Sequence, residues 1–272
     1  MTTEQKYQVL KSLIRQMKGA VVAFSGGVDS SFLTQTVYSV LGDRSIAVIA
    51  QSPSFPRWEF EEAVSLARTI GIRHEVIQTD ELSNPNYSQN PKDRCYYCKK
   101  TLFKDIQHIA NREGMGTVIE GSNYDDRRDY RPGMKAVREL GIRSPLQEAE
   151  LTKSEIRQLS HQNGLPTWDK PSYACLASRF PYNTEINPEK LEQVERAEEL
   201  LREMSFRYFR VRHHGDTARI EVAEDDIETL AAKEQRQRIT REFKKLGFIY
   251  VALDLNGYRM GSMNEVLDTD DE

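Results

Sequence analysis

The chain of 272 residues predicts an α/β fold, a doubly wound parallel sheet followed by a second, smaller α+β domain. Three observations predict it. Short apolar runs alternate with helix-length amphipathic stretches through the first half. The first of those runs stops at a Ser-Gly-Gly turn that opens a helix. Beyond a Pro-rich segment, two-residue alternation and turn dipeptides replace that pattern. The boundaries expected are 1–183 for the first domain, with the Cys175 loop inside it, 184–265 for the second, and 266–272 for an acidic tail.

The elements follow in order. Residues 1–16 read as a polar amphipathic helix without the apolar core of a signal peptide. Ala20–Phe24 is a buried strand, and a helix follows from about Ser30 to Leu41. Ser45–Gln51 is a second strand, Arg57–Ile70 a helix with Phe60, Val64, Ala67 and Ile70 on one face, and His74–Gln78 a third strand. Lys99–Arg112 is a helix that begins after Cys95 and Cys98, and Thr117–Glu120 is a fourth strand. Residues 164–188 hold four of the ten prolines, and a long loop of such specific composition is usually functional. Beyond it come a helix at Glu189–Met204, strands at Phe206–Arg212 and Thr217–Val222 about the turn His214-Gly-Asp216, and helix to about Leu246. Phe248–Leu253 and Tyr258–Gly261 are strands about Asn256-Gly257.

Composition excludes several classes. With 38% hydrophobic and 29% charged residues the chain is globular rather than disordered. No apolar run approaches the length of a membrane span, so no membrane partner is expected. Residues 181–272 carry an excess of acid, against a slight excess of base before them, which argues against a nucleic-acid surface. Three cysteines, Cys95, Cys98 and Cys175, are too few and too odd for a disulfide scaffold, so a reducing, cytoplasmic setting is expected.

The strongest motif is Ser25-Gly26-Gly27-Val28-Asp29-Ser30-Ser31. Its glycines let the backbone turn sharply and approach a ligand, and the helix it opens offers N–H groups and a positive dipole end to an anion. It lacks the Gly-Lys-Ser/Thr of γ-phosphate-releasing ATPases, and a phosphate or pyrophosphate is expected on it. A second polar cluster, Glu120-Gly121-Ser122-Asn123-Tyr124-Asp125-Asp126, ends the fourth strand and faces the nucleotide, a second metal or nothing but its own turn, with Gly121 and Asn123 as its candidate nucleotide contacts. Ser52 lies at the same sheet edge, within reach of an adenine. Arg210 and Arg212 alternate on a strand and share one face, and their forks suit phosphate. His213 and His214 read as surface residues, Trp58 and Trp168 as packing, and Lys99-Lys100 as a solvated face. Cys95-x-x-Cys98 fits a redox pair, half a zinc site or part of an iron–sulfur site.

The Ser25–Ser31 motif resembles the SGGxDS signature of the PP-loop ATP pyrophosphatases, a HUP-like fold shared by GMP, asparagine and NAD synthetases and tRNA thiolases. That resemblance implies ATP cleavage between the α and β phosphates, adenylation of a substrate oxygen, nucleotide contacts from Ser25, Gly26, Gly27, Asp29 and Ser30, and Mg²⁺ on Asp29. Residues 129–136, 165–171 and 174–179, with 210–215 and 218–222, narrow it. Together they resemble the ATP-dependent sulfur transferases of nickel-pincer nucleotide cofactor biosynthesis over about residues 15–265. The implied substrate is a small molecule, a pyridinium dicarboxylate mononucleotide, with Arg210, Arg212 and Arg179 on its phosphate and Cys175 as the thiol that displaces AMP. Arg179 and Lys170, close in sequence, would give that thiolate positive surroundings. In single-cysteine members the cysteine gives up its own sulfur. The three-cysteine branch, which this chain resembles, implies a [4Fe–4S] cluster on Cys95, Cys98 and Cys175 carrying exchangeable sulfide. A homo-oligomer is expected. The alternatives are a tRNA thiolase and an ammonia-using synthetase subunit.

Overall fold

The computed structural model describes residues 1–128, 132–259 and 261–262. The tail expected at 266–272 and Asp129–Arg131 of the narrower motif lie outside the described residues.

The helices are α1 (Thr3–Arg15), α2 (Val28–Leu41), α3 (Arg57–Ile70), α4 (Pro85–Ser88), α5 (Arg94–Arg112), α6 (Gly133–Glu139), α7 (Pro145–Glu148), α8 (Lys153–Gln162), α9 (Pro188–Glu203), α10 (Ile227–Ala231) and α11 (Lys233–Lys245). The strands are β1 (Ala20–Ala23), β2 (Ser45–Gln51), β3 (His74–Gln78), β4 (Val118–Ile119), β5 (Phe209–His214), β6 (Thr217–Val222) and β7 (Tyr250–Leu253). Chain contacts divide these into two units. One comprises residues 1–87 and 93–173, the other 88–92 and 174–272. The boundary thus falls at 173/174 rather than 183/184, and Cys175 and Arg179 belong to the second unit.

The first unit is a parallel sheet in the order β3-β2-β1-β4. Strand alternation sorts its side chains into two layers. Ala20, Val22, Ala47 and Ile49 pack with α1, α2, α3 and α8 on one face. Val21, Ile46, Val48 and Val118 pack with Phe103, Ile106 and Ile109 of α5 on the other. Helices on both faces bury β1 and β2 except at their C-terminal ends, which is why they read as apolar runs. The strand order reverses between β1 and β4, the place where open α/β sheets bind ligands beyond their C-terminal strand ends. Helix α5 begins at Arg94, five residues earlier than its apolar pattern suggested. Cys95 and Cys98 therefore lie inside its first turns rather than before it; the start signal was Asp93, a residue type favoured at helix N-termini.

In the second unit the sheet order is β5-β6-β7. β5 and β6 form the expected hairpin, with Gly215 at φ +61° in its turn. β7 instead runs parallel to β6, and no strand follows it at 258–259. The reason is local. Gly257 turns the chain at φ +64° against the β6 end, where an added Cβ would lie 2.8 Å from the Val222 carbonyl, and the Tyr258 N–H donates to that same carbonyl at 2.7 Å. Asn90, fully buried at φ +55°, belongs here as well: its side-chain amide donates to the carbonyls of Phe180 and Pro181, and its own carbonyl accepts from the Asn183 N–H. His213 is core rather than surface, stacked on Phe180 with Nε2 2.9 Å from Gln193 Oε1, and burial pushes its pKa down.

Candidate active site

β1 delivers Ser25–Gly27 to the switch point, and α2 starts there. Gly27 is the N-cap residue of α2 and supplies no side-chain cap. A helix end left this way keeps N–H groups for an anion. Ser30 closes the loop on itself: its hydroxyl donates to the Gly27 carbonyl at 3.2 Å and lies 3.1 Å from Ser25 Oγ, while Ser25 is exposed. Gly26 has φ +70°, and a Cβ there would sit 2.8 Å from Ala63 Cβ of α3. Gly26→Ala is expected to cost about 1–3 kcal/mol in strain and displacement and to raise the KM for ATP, read by denaturant midpoint and by ATP titration. An unchanged midpoint with unchanged KM would contradict that role for the loop.

Asp29 stands in the first turn of α2. Its Oδ2 pairs with Lys153 Nζ at 2.6 Å, and its buried Oδ1 has no hydrogen-bond partner. An orphaned carboxylate oxygen beside an anion-binding helix end suits a divalent cation, so the donor set fits Mg²⁺ on Asp29. Lys153 opens α8, and its N–H donates to Asp125 Oδ2 at 2.8 Å. The sequence signal for it was the capping box Thr152-Lys-Ser-Glu155, in which Thr152 and Glu155 bond reciprocally.

The β4 end packs closely on this loop, since a Cβ on Gly121 would lie 3.0 Å from the Ser30 nitrogen. Its polar residues first satisfy one another. Glu120 accepts from Ser122 and Ser144 and lies 3.5 Å from Lys99 Nζ. Asn123 Oδ1 accepts from the Asp125 N–H, and the Asn123 N–H donates to Asp126. Lys99 and Lys100, expected on a solvated face, are engaged with Glu120 and Glu139. Ser52 Oγ is 3.2 Å from Ser54 Oγ, which donates to the buried Glu81.

In the second unit Cys175, half-buried, precedes the short 3-10 turn Leu176–Arg179. Arg179 is fully buried and forks onto Glu198 of α9 with two 2.8 Å bonds. Its Nη1 donates to the carbonyls of Ala174 and Cys175. Arg212 forks onto Glu221 of β6 at 2.9 and 2.8 Å and donates to the Ser178 carbonyl. These two guanidiniums, expected on a substrate phosphate, thus grip the backbone of the Cys175 turn and two buried carboxylates. A buried charge needs a fixed partner, and here the partners come from α9 and from the adjoining strand of the β5–β6 hairpin. Burial works against the charged forms of Arg179 and Glu198. Their mutual attraction outweighs it, so the Arg179 pKa rises and the Glu198 pKa falls. Arg210 is also buried, with its guanidinium 4.9 Å from the Tyr258 ring centre. Burial and then repulsion from Arg179 lower its pKa to about 10. Lys170, expected to favour a Cys175 thiolate, is bound instead to Glu59 and Glu62 in the first unit.

Among the described residues no group of three or more His, Cys, Asp or Glu is placed to hold a metal ion, and no helix is long and apolar enough to cross a membrane.

The reversed strand order, the glycine loop and Asp29 define an adenylating enzyme of the PP-loop ATP pyrophosphatase class. Comparison with known proteins agrees. A family model described as NAD synthase matches residues 3–95. The pyridinium-3,5-bisthiocarboxylic acid mononucleotide synthase of Lactiplantibacillus plantarum is 39% identical over 98% of this chain and 96% of its own. An uncharacterized protein of Synechocystis is 45% identical over 97% of this chain and 98% of its own. A glutamine-hydrolyzing GMP synthase polypeptide of Archaeoglobus fulgidus is more distant, 24% identical over 68% of this chain and 64% of its own. The chain belongs to the family of the pyridinium-3,5-bisthiocarboxylic acid mononucleotide synthase.

Proposed function

We propose that this enzyme adenylates a carboxylate of a pyridinium dicarboxylate mononucleotide and exchanges the AMP for sulfur. The observation that carries the first step is the uncapped α2 N-terminus with the orphaned Asp29 Oδ1 beside it. A carboxylate is a poor electrophile. Its oxygen attacks the α phosphorus of ATP, the bond to the β-phosphate oxygen breaks, and pyrophosphate leaves onto the loop. Mg²⁺ would supply neutralisation of that leaving charge. Lys153, already paired with Asp29, is set to share it.

The Cys175 thiolate then attacks the acyl carbon and AMP departs, leaving a thioester. Loss of a proton from the Cys175 α-carbon expels the thiocarboxylate and leaves dehydroalanine. Arg179 and Arg212 fix the turn that presents the thiol. Arg210 is the guanidinium we assign to the substrate phosphate: it is buried beside Tyr258, burial and then the nearby Arg179 disfavour its charge, and an added anion would offset both. The alternative source of sulfur is an iron–sulfur cluster in place of the Cys175 atom: Cys95 and Cys98, three residues apart on α5, suit two of its ligands. Such a cluster would supply exchangeable sulfide.

The deciding assay combines ATP, Mg²⁺ and the pyridinium nucleotide and measures AMP, pyrophosphate and thiocarboxylate by mass spectrometry. Stoichiometric AMP and thiocarboxylate are expected; AMP release without sulfur in the product would sink the proposal. Asp29→Asn is expected to slow pyrophosphate release by about 100-fold, the equivalent of ~3 kcal/mol, with an unchanged denaturant midpoint.

A further inference from the structure

Lys170 stands in the segment that runs into Cys175, five residues ahead of it. Its side chain is 11% exposed, and its Nζ meets three oxygens of the first unit. Two are carboxylates of α3, Glu59 at 3.0 Å and Glu62 at 2.9 Å. The third is the Gly26 carbonyl of the phosphate loop, at 3.4 Å. The backbone around Lys170 is held too. Arg157 of α8 donates to the carbonyls of Trp168 and Lys170 at 2.7 and 2.8 Å. Tyr173 closes the segment edge-on against Trp58 of α3, ring centres 4.7 Å apart.

A lysine facing two carboxylates needs no backbone carbonyl to balance its charge. The Gly26 contact therefore does something other than neutralise. It joins the residue whose positive φ shapes the phosphate loop to the strap that ends two residues before Cys175. We propose that Lys170 is a positioning residue that locks this strap to the phosphate loop, so that the geometry of the loop is passed to the sulfur-bearing turn. This rests on the reading of Cys175 as the thiol that meets the acyl adenylate. Adenylation needs the loop alone, whereas sulfur transfer needs loop and turn in register, and a misplacement near 1 Å costs such a step about 100-fold.

The test uses the full chain and Lys170→Gln, with Lys170→Arg as rescue and Glu62→Gln as a milder second variant if the first fails to fold. Adenylation is read by substrate-dependent exchange of labelled pyrophosphate into ATP, sulfur transfer by thiocarboxylate per chain in a single turnover. Hydrogen exchange over residues 168–178 reads the strap without any activity. In Lys170→Gln we expect exchange over the strap at least about 10-fold faster, pyrophosphate exchange down by no more than about threefold, and sulfur transfer down by about 10- to 100-fold. Lys170→Arg recovers most of the transfer. Equal loss of both reactions, or an unchanged strap, overturns the proposal. A wild-type enzyme that exchanges no pyrophosphate defeats the assigned reaction instead, and the hydrogen-exchange arm still decides whether Lys170 holds the strap.

Discussion

Cys175→Ala is expected to abolish thiocarboxylate formation, by about 1,000-fold or more, while pyrophosphate exchange stays within severalfold of wild type. The two steps separate because the alanine leaves the phosphate loop and Asp29 untouched and removes only the sulfur. The side chain of residue 175 also carries none of the bonds that hold its turn: Arg179 grips the Ala174 and Cys175 carbonyls, which survive the substitution. Cys95→Ser and Cys98→Ser divide the two sources of sulfur. If Cys175 gives its own atom, both variants still make one product per chain, and the peptide bearing residue 175 loses the mass of H₂S. If sulfide is held on three cysteines, both lose product along with Cys175→Ala, and iron is lost with it. Thiocarboxylate from Cys175→Ala at the wild-type rate would remove this residue from the mechanism.

The second large effect is on stability. Arg179→Met removes a guanidinium that is wholly buried and leaves the buried Glu198 carboxylate without its forked partner. Breaking one half of such a pair is expected to cost about 3–5 kcal/mol at neutral pH, measured by denaturant unfolding. The pH dependence carries a sign. The Glu198 pKa is depressed in the folded protein, so the stability it contributes is present above the ordinary glutamate value and is lost as pH falls through the depressed one. In Arg179→Met burial still works against the charged carboxyl while only Arg210 and the Val211 N–H remain to hold it down, so the depression weakens. The deficit against wild type therefore shrinks on acidification below the ordinary glutamate range. A deficit that is the same at neutral and acid pH would count against the pair. Arg179→Met with Glu198→Leu is expected to regain most of the loss, since neither charge then remains buried.

Local chemistry explains what was legible beforehand. β2, β3, β6 and α3 fall at the bounds read from periodicity and turn residues, because each is decided by its own side chains. The phosphate loop was legible for the same reason: a glycine turn, a helix start and an acidic first turn are neighbours in the chain. Long-range pairing was not. Strand parity put Arg210 and Arg212 on one face, yet nothing near them in sequence announced Glu198 from α9 or Tyr258 from the last loop. Lys153 stood in a readable capping box, but its pairing with Asp29 spans 124 residues. Lys170 was noticed for its closeness to Cys175 in sequence, and its partners lie on α3 instead.

Asn90 brings a consequence for the gene as well as for the protein. The five residues 88–92 are the only part of the second unit that comes from the first half of the chain. Asn90 satisfies the carbonyls of Phe180 and Pro181 and the Asn183 N–H, and the Ser88 carbonyl accepts from the Ile186 N–H. A cut at 173/174 would strip those partners from the stretch just after Cys175. The C-terminal piece is thus not a module that shuffling could transplant intact. On the ribosome, Asn90 must wait for residues 180–186 to emerge before it finds its place.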